Sequence, residues 1–230
     1  MARKLKQQNH FNLKKIHPLT PTQDIVFQEF RQEKNLLLHG VAGTGKTFIS
    51  LYLALNDILT NKSNYEKVII LRSVVPSRDI GFLPGSIKEK TEVYEEPYKI
   101  ICDDLFQRGD GYDILRMRRM IEFSTTSFLR GMTFKNAIII VDEMQNMSYQ
   151  ELSTVITRIG DNCRIILCGD YKQSDLMRES EKNGIVHFMN ILKMMKEFSF
   201  IEFNYSDIVR SELVKNFIIA ESEYREAIAV

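Results

Sequence analysis

Eight residues, Gly40-Val41-Ala42-Gly43-Thr44-Gly45-Lys46-Thr47, restrict what this chain can become more than any other stretch. They match the pattern G-x-x-x-x-G-K-[ST], which works only as the turn between a buried strand and a helix. Both neighbours fit: Leu36-Leu37-Leu38-His39 reads as a buried parallel strand, and Phe48 to Leu59 reads as an amphipathic helix. The glycines let the backbone curl so that successive N–H groups face phosphate oxygens, and the helix adds unpaired donors and the positive end of its dipole. Gly40, Val41, Ala42, Gly43, Thr44 and Gly45 would form the cradle, with Lys46 reaching the β- and γ-phosphates and Thr47 taking one place on Mg²⁺. A glycine-rich turn that binds nothing is the plain alternative, and the strand-turn-helix context argues against it.

The second signal is Ala137-Ile138-Ile139-Ile140-Val141-Asp142-Glu143. Its run of β-formers predicts a strand buried on both faces, with two acids at the carboxyl end where ligands of open parallel sheets sit. Asp142 is placed to hold the Mg²⁺ shell, and Glu143 to orient and deprotonate an attacking water. Two adjacent acids also suit a plain turn, but a P-loop upstream favours the catalytic reading. Asn162 to Cys168 predicts another buried strand, ending in Gly169-Asp170-Tyr171-Lys172-Gln173, where Gln173 can sense the γ-phosphate. Gln23, expected just before a helix carrying Ile25, Val26 and Phe30, has the donor and acceptor needed to read an adenine edge, although an ordinary exposed glutamine would look the same.

Between these signals lie Lys67 to Arg72, a short apolar strand, and a turn-rich segment from Ser73 to Lys90 with Arg72, Arg78 and Lys88 that suits substrate contact. Glu92 to Leu115 reads as helix interrupted by Pro97 and by Gly109 to Gly111, and Arg116, Arg118 and Arg119 form a basic knot after it. Ser148 opens a helix with Glu151 three residues on, a capping box. Helices are also expected over Ile185 to Lys196 and over Ser206 to Tyr224, the latter containing Arg210, with a strand at Phe200 to Phe203. The fold class expected is α/β, with a mostly parallel central sheet and helices on both faces.

With 230 residues there is room for one such domain, and residues 19–230 are read as that unit behind a basic, flexible arm over 1–18. A net charge of +1 excludes a strongly basic nucleic-acid coat protein, so any basic surface must be local. The three cysteines, Cys102, Cys163 and Cys168, are odd in number and lack C-x-x-C spacing, which suggests reduced packing residues. No apolar run approaches a membrane span or a signal peptide, so no membrane partner and a cytoplasmic location are expected.

The P-loop, Asp142-Glu143-Met144-Gln145-Asn146, Gly169-Asp170-x-x-Gln173, Gly81-Phe82-Leu83-Pro84-Gly85 and Asp207-Ile208-Val209-Arg210-Ser211 together resemble the PhoH-like ATPases, relatives of the first RecA-like domain of superfamily 1 helicases. The resemblance covers roughly Thr20 to Lys215. It implies a RecA-like core, ATP hydrolysis with Mg²⁺, RNA or single-stranded nucleic acid as partner, and a ring-like homo-oligomer such as a hexamer. It supports Gln23 as an adenine contact and Arg210 as the arginine that closes on the γ-phosphate, within one subunit or across two. Met144 stands where the family usually has alanine. The chain is too short for the second RecA-like domain with which such helicases close their site. A nucleotide-dependent switch or assembly factor is therefore the alternative to an enzyme that remodels nucleic acid; a small-molecule kinase fits Glu143 and Gln173 less well.

Overall fold

The computed structural model describes residues 12–60, 64–73, 87–129, 131–170 and 179–228. Among them six strands, β1 (Asn35–Gly40), β2 (Lys67–Arg72), β3 (Ile121–Thr125), β4 (Ala137–Asp142), β5 (Cys163–Gly169) and β6 (Phe198–Phe203), form one sheet in the order β3-β2-β4-β5-β1-β6. Every pairing is parallel. The helices are α1 (Pro21–Arg31), α2 (Lys46–Leu59), α3 (Ile87–Phe106), α4 (Gly111–Met117), α5 (Tyr149–Thr157), α6 (Glu179–Lys193) and α7 (Glu212–Ile228). This is the α/β, RecA-like arrangement that the resemblance implies.

Strand periodicity explains why the central segments are apolar throughout. Leu36 and Leu38 pack with α1 and α2 on one face, whereas Leu37 packs with α5 and α6 on the other. Val68 and Ile70 alternate with Ile69 and Leu71 in the same way. A charged side chain also lies buried here: Arg164, on β5, donates to the carbonyls of Phe30 at 2.6 Å and Lys34 at 2.8 Å and lies over the Phe30 ring. It thereby ties β5 to the chain leaving α1, where the Phe30 carbonyl also accepts the Glu33 N–H at 3.2 Å.

Several boundaries differ from expectation. Pro21 stands in the first turn of α1 and Thr20 caps it, accepting the Gln23 N–H at 3.2 Å, so Gln23 lies inside the helix rather than before it. Pro97 does not break α3, because Tyr98, Cys102, Leu105 and Phe106 anchor the second half of that helix in the core; their burial offsets the ~3 kcal/mol that an internal proline costs. The gap between α3 and α4 does include Gly109. α6 starts at Glu179, ahead of Ile185. α7 begins at Glu212, not Ser206, since Asn204 and Asp207 cap a short 3-10 turn first: Asp207 accepts the Asn204 N–H at 3.0 Å and Asn204 accepts the Ser206 N–H at 2.9 Å. Arg210 therefore sits in the connection ahead of the helix.

Part of the stretch read as an arm is described. Residues 12–18 lie against the domain, with Leu13 and Ile16 packed on the core and the Lys14 N–H bonded to the Leu105 carbonyl at 2.8 Å. The arginine knot precedes β3 and so occupies the end of the sheet opposite the P-loop, with Arg116 paired to Glu95 at 3.4 Å.

Candidate functional site

β1 delivers the chain into the P-loop at Gly40, whose φ is +118°. A Cβ there would lie 1.9 Å from the Phe203 carbonyl oxygen, so the approach of β6 permits only glycine. The loop closes on α2, which Gly45 precedes without a side-chain cap, leaving the first-turn N–H groups for an anion. Lys46 donates to the carbonyls of Gly40 at 2.8 Å and Val41 at 2.7 Å, and burial holds its pKa below the usual value. Its ammonium is thus already inside the loop that phosphates would enter.

β5 lies between β1 and β4, so Gly169 and Asp170 line the same crevice as the loop and the Asp142-Glu143 pair. Asp142, 6% exposed, accepts a 2.8 Å hydrogen bond from the Thr47 hydroxyl on Oδ1 and another of 2.8 Å from the Tyr98 hydroxyl on Oδ2. Burial, with Glu143 adding to it, pushes the Asp142 pKa up against those two donors and Arg72. Glu143 takes the left-handed conformation, φ 52° and ψ 44°, unusual for a residue with a side chain. It accepts a hydrogen bond from Gln145 Nε2, while Gln145 Oε1 accepts the Asp170 N–H at 3.0 Å. A Cβ on Gly169 would lie 2.5 Å from that same Oε1 and 2.7 Å from Met144 Cγ. Met144 is fully buried against this glycine.

Lys46, Thr47, Asp142, Glu143, Asp170 and Arg210 all line one crevice of about 690 Å³. Arg210 reaches it because the Val209 N–H bonds to the Gly43 carbonyl at 3.0 Å, which carries the Arg210 Cγ to 3.1 Å from the Cβ position of Gly43. Gln23 is buried against the other side of the loop, donating to the Thr44 carbonyl at 3.0 Å and accepting the Leu19 N–H at 2.7 Å. It borders a second cavity of about 510 Å³, with Ile16, His17 and Phe48 in its wall. The structure thus gathers Gln23, the loop, Asp142, Glu143 and Arg210; Gln173 and the segment from Gly81 to Gly85 lie outside the described residues. Tyr98 escaped the sequence reading, since an aromatic in a mixed helix carries no signal beyond packing.

The oxygens of Thr47 and Asp142 are hard donors at the edge of the crevice, a set that suits Mg²⁺. Among the described residues no cluster of three or more His, Cys, Asp or Glu could hold a metal ion by itself. No helix among the described residues is long and apolar enough to cross a membrane.

The chain was compared with known proteins. It is 35% identical over 184 residues to a PhoH-like protein of Synechocystis, 79% of this chain and 54% of that protein. It is 32% identical to a PhoH-like protein of Bacillus subtilis, covering 82% and 59% of the two chains, and 31% identical to protein PhoH of Escherichia coli, covering 80% and 51%. The chain thus spans about half the length of these relatives. Among solved structures it is similar to the Hef helicase domain of Pyrococcus furiosus, at 14% identity and a TM-score of 0.46 over 81% of this chain and 39% of that one. The family profile described as PhoH-like protein matches residues 15–221, and this chain, with a nucleotide-type P-loop in a RecA-like fold, belongs to that family.

Proposed function

We propose that the crevice binds ATP with Mg²⁺ and hydrolyses it. The observation that carries this reading is the convergence of Lys46, the Thr47–Asp142 hydrogen bond, Glu143 and Arg210 on one cavity. Entering phosphates offer Lys46 stronger acceptors than the two loop carbonyls it now holds, and the uncapped N–H groups at the start of α2 bind the same oxygens. Thr47 and Asp142 hold the cation, which when bound spreads the charge of the β- and γ-phosphates. Glu143 points the attacking water and takes its proton, with Gln145 fixing the carboxylate. Arg210 supplies a fixed positive charge from the same chain as the P-loop, and Gln173 senses the γ-phosphate. Gln23 borders the cavity beside the loop and meets the adenine edge there.

In this reading residues 19–230 work as one ATPase unit. RNA or single-stranded nucleic acid as partner, and assembly into a ring, are supported by the family resemblance. The test is ATP turnover by the purified protein with and without Mg²⁺ and single-stranded RNA, beside its mass in solution. Mg²⁺-dependent turnover supports the enzyme, and stimulation by RNA supports the nucleic-acid role. Turnover without any response to RNA or single-stranded DNA favours a nucleotide-dependent switch, and no turnover at all contradicts the proposal.

A further inference from the structure

The buried hydroxyl of Tyr98 has no part in the chemistry above, yet it touches the residue on which the cation depends. Tyr98 lies on α3, a helix whose Pro97, Ile100, Ile101 and Asp104 form a wall of the crevice. The side chain is fully buried and its O–H donates to Asp142 Oδ2 at 2.8 Å. The opposite oxygen, Oδ1, takes the Thr47 hydroxyl. Two donors from two different helices leave the carboxylate little freedom to rotate.

The seat of Tyr98 is itself held from several sides. Its ring packs 5.7 Å from that of Phe123 on β3. One turn earlier on α3, the Tyr94 ring lies 5.7 Å from the Arg72 guanidinium, and Arg72 is paired in register with Asp142 across β2 and β4. A phenol needing only a hydrogen-bond partner would be satisfied by any nearby carbonyl. Here it is spent on the carboxylate at the carboxyl end of β4, and the strand beside that carboxylate is tied to the same helix.

Resting on the reading of Asp142 as a metal-holding residue, we propose that Tyr98 is a positioning residue that fixes the Asp142 carboxylate plane for the divalent cation bound with the nucleotide. Partners that orient a metal-binding group are commonly worth a factor of ten or more in metal affinity. Tyr98→Phe keeps the ring and its packing and removes only the donor. Mn²⁺ serves as the probe, counted by electron paramagnetic resonance in the ADP complex, and ADP affinity is measured separately in EDTA. The expected result is about 10-fold weaker Mn²⁺ binding, with metal-free ADP affinity changed by less than about two-fold.

Equal Mn²⁺ affinity in the two proteins would overturn the role of Tyr98 while leaving the metal site standing. So would a loss of metal-free ADP affinity as large as the loss for Mn²⁺, which marks a general structural defect. A wild-type ADP complex that binds no Mn²⁺ would overturn the metal site and this role with it. If Tyr98→Phe does not fold, 3-fluorotyrosine placed at position 98 alone reports through its ¹⁹F resonance. That resonance should move as Mg²⁺ is added to the ADP complex, and an unmoved resonance contradicts the proposal.

Discussion

Lys46 and Asp142 illustrate how single side chains are held ready at a cost. Lys46 is buried on loop carbonyls with its charge disfavoured, and within the loop it alone supplies a side-chain cation for the phosphates. Lys46→Ala should therefore abolish turnover and weaken ATP binding sharply, measured by equilibrium titration of the purified variant. Asp142 makes the opposite sort of prediction. Its folded pKa lies above the ordinary carboxylate value, chiefly from burial. The ionised form is thus less favourable in the folded chain than in the unfolded one. The stability associated with the neutral form is present below the ordinary carboxylate pKa and is lost as pH rises through the raised value. Asp142→Asn removes that liability, so at neutral pH the nucleotide-free protein should melt higher, by ~2–4 °C per kcal/mol gained in a chain of this length, while Mg²⁺-dependent nucleotide binding falls. A lower melting temperature in calorimetry would contradict the account of a destabilising buried charge.

The elements are tied together at the crevice end of the sheet by Glu151. It completes the capping box of α5, accepting the Ser148 N–H at 2.8 Å, and also takes the hydroxyls of Thr126 at 2.5 Å and Ser73 at 3.1 Å. Those partners follow β3 and β2, so one carboxylate joins three elements. Burial would raise its pKa, but the donors from Thr126, Ser148 and Ser73 outweigh it and hold the value below the usual range. Its contribution should be full above the ordinary carboxylate pKa and fade as pH falls through the depressed one. Glu151→Ala should cost roughly 2 kcal/mol or more in urea unfolding at pH 7, with a smaller difference from wild type in acid. The capping box was legible because it lies within four consecutive residues; the links to Ser73 and Thr126 were not, being made by the fold. The same division holds elsewhere. Continuous apolar runs announced β1, β2, β4 and β5, and local motifs announced the P-loop and the two acids. Tyr98, the buried Arg164 and the path through Pro97 depend on what packs beside them, which spacing does not record. The start of α7 was misplaced because Asn204 and Asp207 spend their side chains on a turn that looks like a helix cap.

For the whole molecule, the informative fact is that Arg210 and the P-loop meet within one chain. The connection from β6 runs back over the loop through the Val209–Gly43 hydrogen bond, so in the role proposed for it Arg210 needs no neighbouring subunit to reach the crevice. Arg210→Ala should slow turnover by roughly 10³-fold, within the range known for such arginines. Turnover per chain should stay constant on dilution, and mixing Arg210→Ala with Lys46→Ala subunits should restore nothing; recovery in the mixture would mean that the arginine acts between subunits. The central claim, that this crevice performs hydrolysis and does not merely bind nucleotide, is tested most directly by ATP binding and single-turnover hydrolysis in wild type and Glu143→Gln with Mg²⁺ present. The account predicts unchanged binding and hydrolysis slower by ~10²-fold or more in the variant. Hydrolysis at the wild-type rate in Glu143→Gln would contradict it.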